Sequence, residues 1–166
     1  MSFSSHHLYF DDLQLNQEWD SPGRTITEAD IVNYAGFSGD FNPMHMNDEF
    51  AKATPFRRRI AHGFGVFSIA SGLGVQNPQV RIIALTSVRA WTFLLPVFIG
   101  DTIHLHTRCM EKTLRGRGKR GEVVWNRSIR NQDNKVVQDG EIITLVECRP
   151  LARPGESAAA DAHATV

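Results

Sequence analysis

The sequence predicts an α+β fold in which one antiparallel sheet wraps around a single apolar helix. Residues 63–75 (GFGVFSIASGLGV) carry no charged side chain and are apolar on nearly every side, so a helix formed there must be buried. Four strand-like segments then follow one another with short connections, which is typical of an antiparallel sheet. The 166 residues are enough for one domain with a proper core and too few for two.

The segments before the apolar helix combine turn signals with short helical patterns. Thr27 is followed three positions later by Asp30, which predicts a helix start close to a capping box, and Gly36 is a natural C-cap. The elements expected here are a loose N-terminal arm (residues 1–12), an entry strand and turn (13–25), a helix between Thr27 and Gly36, and a helical turn (47–52).

The segments after the apolar helix have the alternating pattern of strands, separated by Gly, Pro and Asn turn signals. Gly140 lies inside the last of them and predicts a bulge. The chain after Arg149 is rich in Ala, Pro, Ser and Gly and lacks periodicity, so we expect a domain over residues 13–149 and a disordered tail over 150–166. The predicted strands cover about residues 80–93, 102–113, 122–130 and 136–146.

Charge and cysteine content exclude several classes of protein. Lys plus Arg equals Asp plus Glu at 18 each, so no net field favours nucleic acid or an anionic membrane as a partner, and association into an oligomer is electrostatically easy. Cys109 and Cys148 have no metal-ligand or redox spacing and are expected to be buried thiols. With neither a signal-peptide pattern nor an apolar run long enough to cross a bilayer, the sequence predicts a cytoplasmic enzyme or binding domain.

A dense polar cluster, SGDFNPMH, precedes the apolar helix at residues 38–45. Pro43 cannot continue a helix and disfavours the helical conformation of Asn42, so Asp40 and His45 are expected on a turn and not on one helix face. Asp40 alone has an equally good interpretation as the residue that caps a turn. The combination of Asp40, Asn42, Pro43 and His45 favours an active-site loop.

Three separated motifs carry a family resemblance. They are Ser38-Gly39-Asp40-Phe41-Asn42-Pro43-Met44-His45, then Phe56 with Ile60-Ala61-His62-Gly63, and then Pro96-Val97-Phe98-Ile99-Gly100-Asp101-Thr102. Together, over about residues 10–148, they resemble the MaoC-like (R)-specific enoyl-CoA hydratases and dehydratases. The resemblance implies the hot-dog fold, a long central helix wrapped by an antiparallel sheet, and pairing into a homodimer or larger assembly.

The resemblance also implies which residues act. The family's catalytic Asp and His correspond to Asp40 and His45, and its oxyanion donor corresponds to the backbone N–H of Gly63. A carboxylate such as Asp40 can accept the proton that the water loses, and a histidine such as His45 can supply the other proton. A helix N-terminus offers a free N–H and a positive dipole end. A supporting role falls on Asn42, which either orients the pair through its amide or holds the turn, and on Ser71, for which tight helix–sheet packing is the alternative. His62 is expected to be a structural histidine at the helix start.

The substrate implied by the resemblance is a 2-enoyl thioester of coenzyme A, with no cofactor and no metal. The arginines at positions 57, 58 and 59 are expected to contact the coenzyme A phosphates, although a solvated basic loop explains them equally well. Phe64 and Gly65 replace the larger aliphatic pair that is common in the family, so Phe64 is expected to shape the acyl pocket. The length of the acyl chain stays open, as does the choice between coenzyme A and a carrier protein as the acyl carrier.

Two other functions are compatible with a hot-dog fold. A thioesterase would use a carboxylate-activated water to cleave the thioester itself, and release of free thiol would identify it. A non-catalytic subunit would bind acyl chains or a partner and would lack the Asp–His pair. Asp40 and His45 are both present, so the hydratase or dehydratase is the preferred prediction.

Overall fold

The computed structural model describes residues 7–150, in which short helices precede a long antiparallel sheet. A 3₁₀ turn at Phe10–Asp12 opens this part of the chain, and another at Gly116–Gly118 joins the fourth and fifth strands. The helices are α1 (Glu28–Ser38), α2 (Pro43–Met46), α3 (Asp48–Lys52) and α4 (Gly63–Leu73). The strands are β1 (Glu18–Asp20), β2 (Arg24–Thr25), β3 (Ile82–Phe93), β4 (Thr102–Arg115), β5 (Arg120–Arg130) and β6 (Val136–Glu147).

The six strands form one sheet with the order β1-β4-β5-β6-β3, and β2 pairs with β4 off this path. All of the strand pairs are antiparallel. β4, β5 and β6 follow one another as a meander, whereas β3 joins the far edge beside β6. The four long strands lie within two residues of their predicted bounds, which confirms the alternation in the sequence.

The helix α4 packs on the sheet, as predicted, but it is not buried on every side. Val66 and Ala70 belong to the main core cluster, together with apolar residues of β4, β5 and β6. Phe64, Ser68 and Gly72 form an exposed stripe on the opposite face. The prediction of all-round burial was wrong because the sheet covers only one face of the helix.

The expected loose arm over residues 1–12 is wrong for its last five residues. Leu8 forms a parallel bridge with Val80, and the Phe10 ring is buried in a second core cluster that includes Trp125. A Cβ on Gly121 would lie only 2.1 Å from that ring, so a glycine in β5 makes room for it. Burial of an aromatic side chain ties this segment to the domain.

Two glycines differ in role from the prediction. α1 continues past Gly36 and ends at Gly39, whose φ of 77° gives the left-handed C-cap that glycine favours. The bulge predicted at Gly140 lies instead on the neighbouring strand β3, where the register with β6 shifts between Arg89 and Thr92. Gly140 permits it, because a Cβ there would lie 2.8 Å from the backbone of Trp91.

Cys109 and Cys148 are both buried free thiols, as predicted. The tail expected over residues 150–166 lies, apart from Pro150, outside the described residues. Among residues 7–150, no helix has the length and apolar character needed to cross a membrane.

Candidate active site

The loop between α1 and α2 is held by side chains that bond to nearby backbone. The Ser38 hydroxyl accepts the N–H of Asp40 at 3.2 Å, and the Asp40 carboxylate accepts the N–H of Asn42 at 3.2 Å. Asn42 then caps α2 by accepting the N–H of Met44 at 3.1 Å. Asn42 therefore holds the turn, one of the two roles open to it from sequence, and leaves the second oxygen of Asp40 free of this turn.

His45 lies in α2 with its ring buried and its two nitrogens in different environments. Nδ1 lies 2.8 Å from the carbonyl oxygen of Ile60. Since a carbonyl can only accept, Nδ1 carries the proton and Nε2 presents a lone pair in the neutral ring. Burial lowers the pKa of His45 below its usual value of 6.5, and the nearby His62 also lowers it, while the Ile60 bond and the Asp40 charge raise it. His45 is therefore a neutral base at neutral pH.

The Nε2 of His45 and the Oδ2 of Asp40 are 4.0 Å apart. This distance is too long for a direct hydrogen bond. A water that makes hydrogen bonds of about 2.8 Å to two groups separates them by roughly 4–5 Å. The predicted pair is thus brought together, with Asp40 half exposed, His45 covered, and a separation that suits one shared water molecule.

His62 joins this loop to the start of α4. Its side chain is 2 % exposed, and its Nε2–H donates to the carbonyl oxygen of Asp40 at 2.9 Å. Its ring stacks on His45 with the centroids 3.9 Å apart, and Tyr34 packs against it at 4.9 Å. These contacts place the His62 ring between His45 and Tyr34, and its predicted structural role stays a prediction.

The first turn of α4 begins at Gly63, where the helix presents backbone N–H groups that lack intrahelical partners. A Cβ on Gly63 would lie 2.9 Å from the ring of Phe93, so glycine fits this close approach. The carbonyl oxygen of Gly63 accepts a hydrogen bond of 2.9 Å from the Nε2 of Gln138. Sequence reasoning missed Gln138, which stands between Val137 and Asp139 in no motif that would single it out.

A cavity of about 490 Å³ opens beside His45 and Gly63. Its walls are mostly apolar, and its polar side chains are those of His45 and Gln138. A pocket of this kind suits an acyl chain with its reactive end at the polar side chains. The lining residues are Met44, His45, Phe56, Ile60, Ala61, Gly63, Val66, Phe93, Leu94, Leu95, Pro96, Val97 and Gln138.

The three arginines expected at the phosphates have different environments. Arg59 donates to both oxygens of Glu28 at 2.6 and 2.7 Å and to Asp48 at 2.7 Å, and these hydrogen bonds raise its pKa above the usual range. Arg58 places its guanidinium 3.8 Å from the centre of the Phe98 ring. Arg57 is exposed with a φ of 64°. Arg59 therefore links α1 to α3 through ion pairs. Within the described residues, neither Arg57 nor Arg58 forms an ion pair with a carboxylate.

Ser71 and Phe64 lie away from the polar groups within one chain. Ser71 follows Gly63 by eight residues on α4, which is about 12 Å along the helix axis at 1.5 Å per residue. Phe64 is 65 % exposed and packs edge-on against Phe93 with the ring centroids 5.3 Å apart, outside the cavity wall. No hydrogen bond or ring contact joins either residue to Asp40 or His45 among the described residues, and their predicted roles stay predictions.

Asp40, His45 and His62 each offer one atom of a type that binds metal ions, and these atoms lie within 4.8 Å of one another. The two imidazole rings are stacked with a tilt of 31°. Stacked rings direct their in-plane lone pairs side by side, so they would have to rotate before both nitrogens could bind one ion. The arrangement fits an acid–base pair better than a metal site.

Residues 12–130 match the model of the MaoC like domain. The chain belongs to this family. The family resemblance drawn from the three motifs is therefore confirmed.

Curated relatives in the family bear names of lyases. The (R)-specific enoyl-CoA hydratase of Rhodospirillum rubrum is 34 % identical over 142 residues, covering 85 % of this chain and 93 % of that protein. The 3-hydroxybutyryl-CoA dehydratase of Methylorubrum extorquens is 32 % identical over 150 residues, covering 89 % of each chain. The Protein MaoC of Klebsiella aerogenes is 36 % identical over 121 residues, 71 % of this chain, which spans only 36 % of that longer protein.

A solved structure confirms the predicted fold class. A conserved hypothetical protein of Mycobacterium tuberculosis, described as having a double hot-dog fold, superposes with a TM-score of 0.77. The superposition covers 90 % of this chain and 47 % of that chain at 22 % identity, so it speaks to the fold alone. This MaoC-like chain corresponds to about one half of that double fold.

Proposed function

We propose that this protein adds water to a 2-enoyl-CoA thioester and, in reverse, dehydrates the (R)-3-hydroxyacyl thioester. The separation of 4.0 Å between His45 Nε2 and Asp40 Oδ2, beside an apolar cavity, carries the proposal. Membership of a family whose curated members are named as such hydratases and dehydratases supports it.

The acid–base chemistry follows from the two nitrogens of His45. Its Nδ1–H is committed to Ile60, so the lone pair on Nε2 accepts a proton from the water as the water oxygen forms its bond to Cβ. The imidazolium formed is stabilised by the carboxylate of Asp40, which also holds the water. The proton then passes from Nε2 to Cα. This assignment makes His45 both base and acid, whereas the sequence prediction gave the first step to Asp40.

The electrons displaced from the double bond move toward the thioester oxygen, where negative charge develops. The free N–H of Gly63 and the positive end of α4 would stabilise this charge, since a preorganised donor costs no reorganisation during the reaction. Gly63 and His45 line the same cavity, which places donor and base on one substrate. The proposed reaction requires no cofactor and no metal.

Coenzyme A recognition is proposed for Arg57 and Arg58 but not for Arg59. The guanidinium of Arg59 is already engaged by Glu28 and Asp48. Arg57 is exposed, and Arg58 lies over the ring of Phe98, the residue after the cavity-lining Val97. Guanidinium groups suit phosphate oxygens because their donors form a planar fork. A cytoplasmic location is part of this proposal, since acyl-CoA thioesters are intracellular metabolites.

A homodimer is proposed from the edge of the sheet. β3 is 12 residues long and pairs only with β6 among the described strands. Ile83, Leu85 and Val88 on this strand are exposed. A long edge strand with exposed apolar side chains is prone to pair with another chain, and a second copy of this chain offers a matching edge. Such a partner would also cover Phe64 and the exposed stripe of α4.

The test is a screen of 2-enoyl- and 3-hydroxyacyl-CoA thioesters of different length and branching, with chiral analysis of the product. Asp40→Asn and His45→Ala should each lower kcat by about 10²–10⁴-fold, the range for loss of an acid–base group. Asn33→Ala, at an exposed position on α1, is the matched control and should retain activity. Wild-type turnover by both active-site variants would overturn the mechanism, and release of free thiol would identify a thioesterase instead.

A further inference from the structure

Gln138 is a buried polar side chain whose amide oxygen and amide nitrogen both form hydrogen bonds. It lies on β6, is 2 % exposed, and receives the indole Nε1–H of Trp91 on its Oε1 at 3.0 Å. Its Nε2 donates to the carbonyl oxygen of Gly63 at 2.9 Å. An indole N–H can only donate and a carbonyl can only accept, so the two neighbours fix the orientation of the amide.

These bonds connect the first turn of α4 to the sheet at a point next to the cavity. Trp91 belongs to the irregular part of β3, where its backbone crosses close over Gly140. The bond from Gln138 fixes the peptide group that follows Gly63, and the ring of Phe93 covers the same glycine from another side. The first turn of α4 is therefore held from two directions, although glycine itself leaves the backbone free to rotate.

We propose that Gln138 is a positioning residue for hydration, which holds the Gly63 turn so that its backbone N–H meets the thioester oxygen in the transition state. The inference rests on the proposed function. Gln138 touches the oxyanion turn and not the reacting atoms. Since a displacement of about 1 Å in a reacting group can cost on the order of 10²-fold in rate, a tether on this turn has a large effect on turnover.

A purely structural role predicts a different result. Buried polar groups require hydrogen-bond partners, so Gln138 would then matter only for the free energy of unfolding. A positioning role changes kcat and kcat/KM together, because the interaction gains its value in the transition state and not in substrate binding. The two roles are thus separated by kinetics on a folded protein.

Three variants test the two ends of the amide separately. Gln138→Met removes both bonds with little change in volume. Gln138→Glu preserves the shape and the acceptor for Trp91, but its carboxylate cannot donate to Gly63. Trp91→Phe is the matched control, since it removes the indole N–H, leaves the bond between Gln138 and Gly63, and alters no cavity-lining residue.

The expected result is a loss in kcat of about 10–100-fold for Gln138→Met, with KM changed by less than about threefold. Trp91→Phe should lose less than about threefold. For Gln138→Glu, the ratio of its kcat to that of wild type at the same pH should rise at low pH, where the protonated carboxyl can donate to Gly63 again, and fall as the pH rises. Taking the ratio removes the protonation of His45, which both proteins share. That pH-dependent recovery also covers the case in which Gln138→Met fails to fold.

Two outcomes overturn the inference. One is wild-type kcat in folded Gln138→Met or in Gln138→Glu at every pH. The other is an equal loss of kcat in Trp91→Phe and Gln138→Met, which would assign the effect to packing around Trp91. Failure of the proposed function has a different signature, because the wild-type protein would then turn over none of the enoyl thioesters, and both ideas would fall together.

Discussion

Arg59→Ala separates the structural role of the arginine run from its expected role in substrate binding. The guanidinium of Arg59 makes hydrogen bonds of 2.6 and 2.7 Å to Glu28 and 2.7 Å to Asp48. Glu28 begins α1 and Asp48 begins α3, so loss of the guanidinium frees two helices that flank the Asp40 loop. We expect a lower free energy of unfolding and an unchanged KM for the CoA thioester.

The size of the expected loss in unfolding free energy follows from how far the Arg59 ion pairs are buried. The Arg59 side chain is 15 % exposed, but both carboxylates are at least half exposed and remain well solvated after the substitution. Exposed ion pairs contribute about 0–1 kcal/mol each, and a bidentate arginine lies toward the upper end. We therefore expect a loss of about 1–2 kcal/mol, which lowers Tm by about 2–8 °C in a domain of this size.

The assay is urea unfolding followed by tryptophan fluorescence, at low and high salt. Arg57→Ala is the control, since it removes an exposed charge that has no carboxylate partner among the described residues, and its free energy of unfolding should stay within about 0.5 kcal/mol of wild type. Arg57→Ala should instead raise KM for the CoA thioester, but not for an N-acetylcysteamine thioester, which lacks the phosphates. If Arg59→Ala kept wild-type stability while its KM for the CoA thioester rose, the structural assignment would be refuted.

Two further predictions concern pH and the N-terminal segment. Because burial lowers the pKa of His45 below 6.5, kcat/KM should stay constant until the pH falls below 6.5 and then decline as the base is protonated; an acidic limb centred above pH 6.5 would contradict this assignment. Asp40→Asn removes a charge that raises this pKa, so the limb of the residual activity should move to lower pH. Phe10→Ala should cost about 2–4 kcal/mol of unfolding free energy by opening a cavity, whereas Phe37→Ala, at an 89 % exposed position, should cost less than about 0.5 kcal/mol. Equal unfolding curves for these two variants would show that residues 8–12 contribute nothing to the domain.

Local patterns were enough to predict the sheet and the polar loop. β4, β5 and β6 carry buried apolar side chains that pack on α4 or on the second core cluster, and their strand-like patterns are visible without a structure. Asp40, Asn42 and His45 lie within six residues of each other, so the sequence placed them on one turn, and the family resemblance predicted that Asp40 and His45 act as a pair. The pairing of His45 with Ile60, by contrast, depends on how residues 46–59 fold back.

Contacts between distant segments were beyond such reasoning. Arg59 and Glu28 are 31 positions apart, and Gln138 reaches Gly63 across 75 positions. Neither hydrogen bond leaves a periodic pattern in the sequence. The three adjacent arginines were therefore treated as one group, and no role was predicted for Gln138. The burial of α4 was overestimated for a related reason: the apolar composition of residues 63–75 shows that its faces need cover, but not which chain supplies that cover.

Two buried side chains explain how the proposed acid–base loop and the oxyanion turn are held in place. A buried polar group is costly unless it is hydrogen-bonded. The Nε2–H of His62 meets this requirement through the carbonyl of Asp40, while its Nδ1 has no hydrogen-bond partner among the described residues. Gln138 meets it through the carbonyl of Gly63 and the indole of Trp91. The two acceptors belong to the residues proposed to hold the water and the thioester oxygen. The same two hydrogen bonds therefore have two effects. They provide partners for buried side chains, and they fix the backbone at the residues proposed to hold the water and the thioester oxygen.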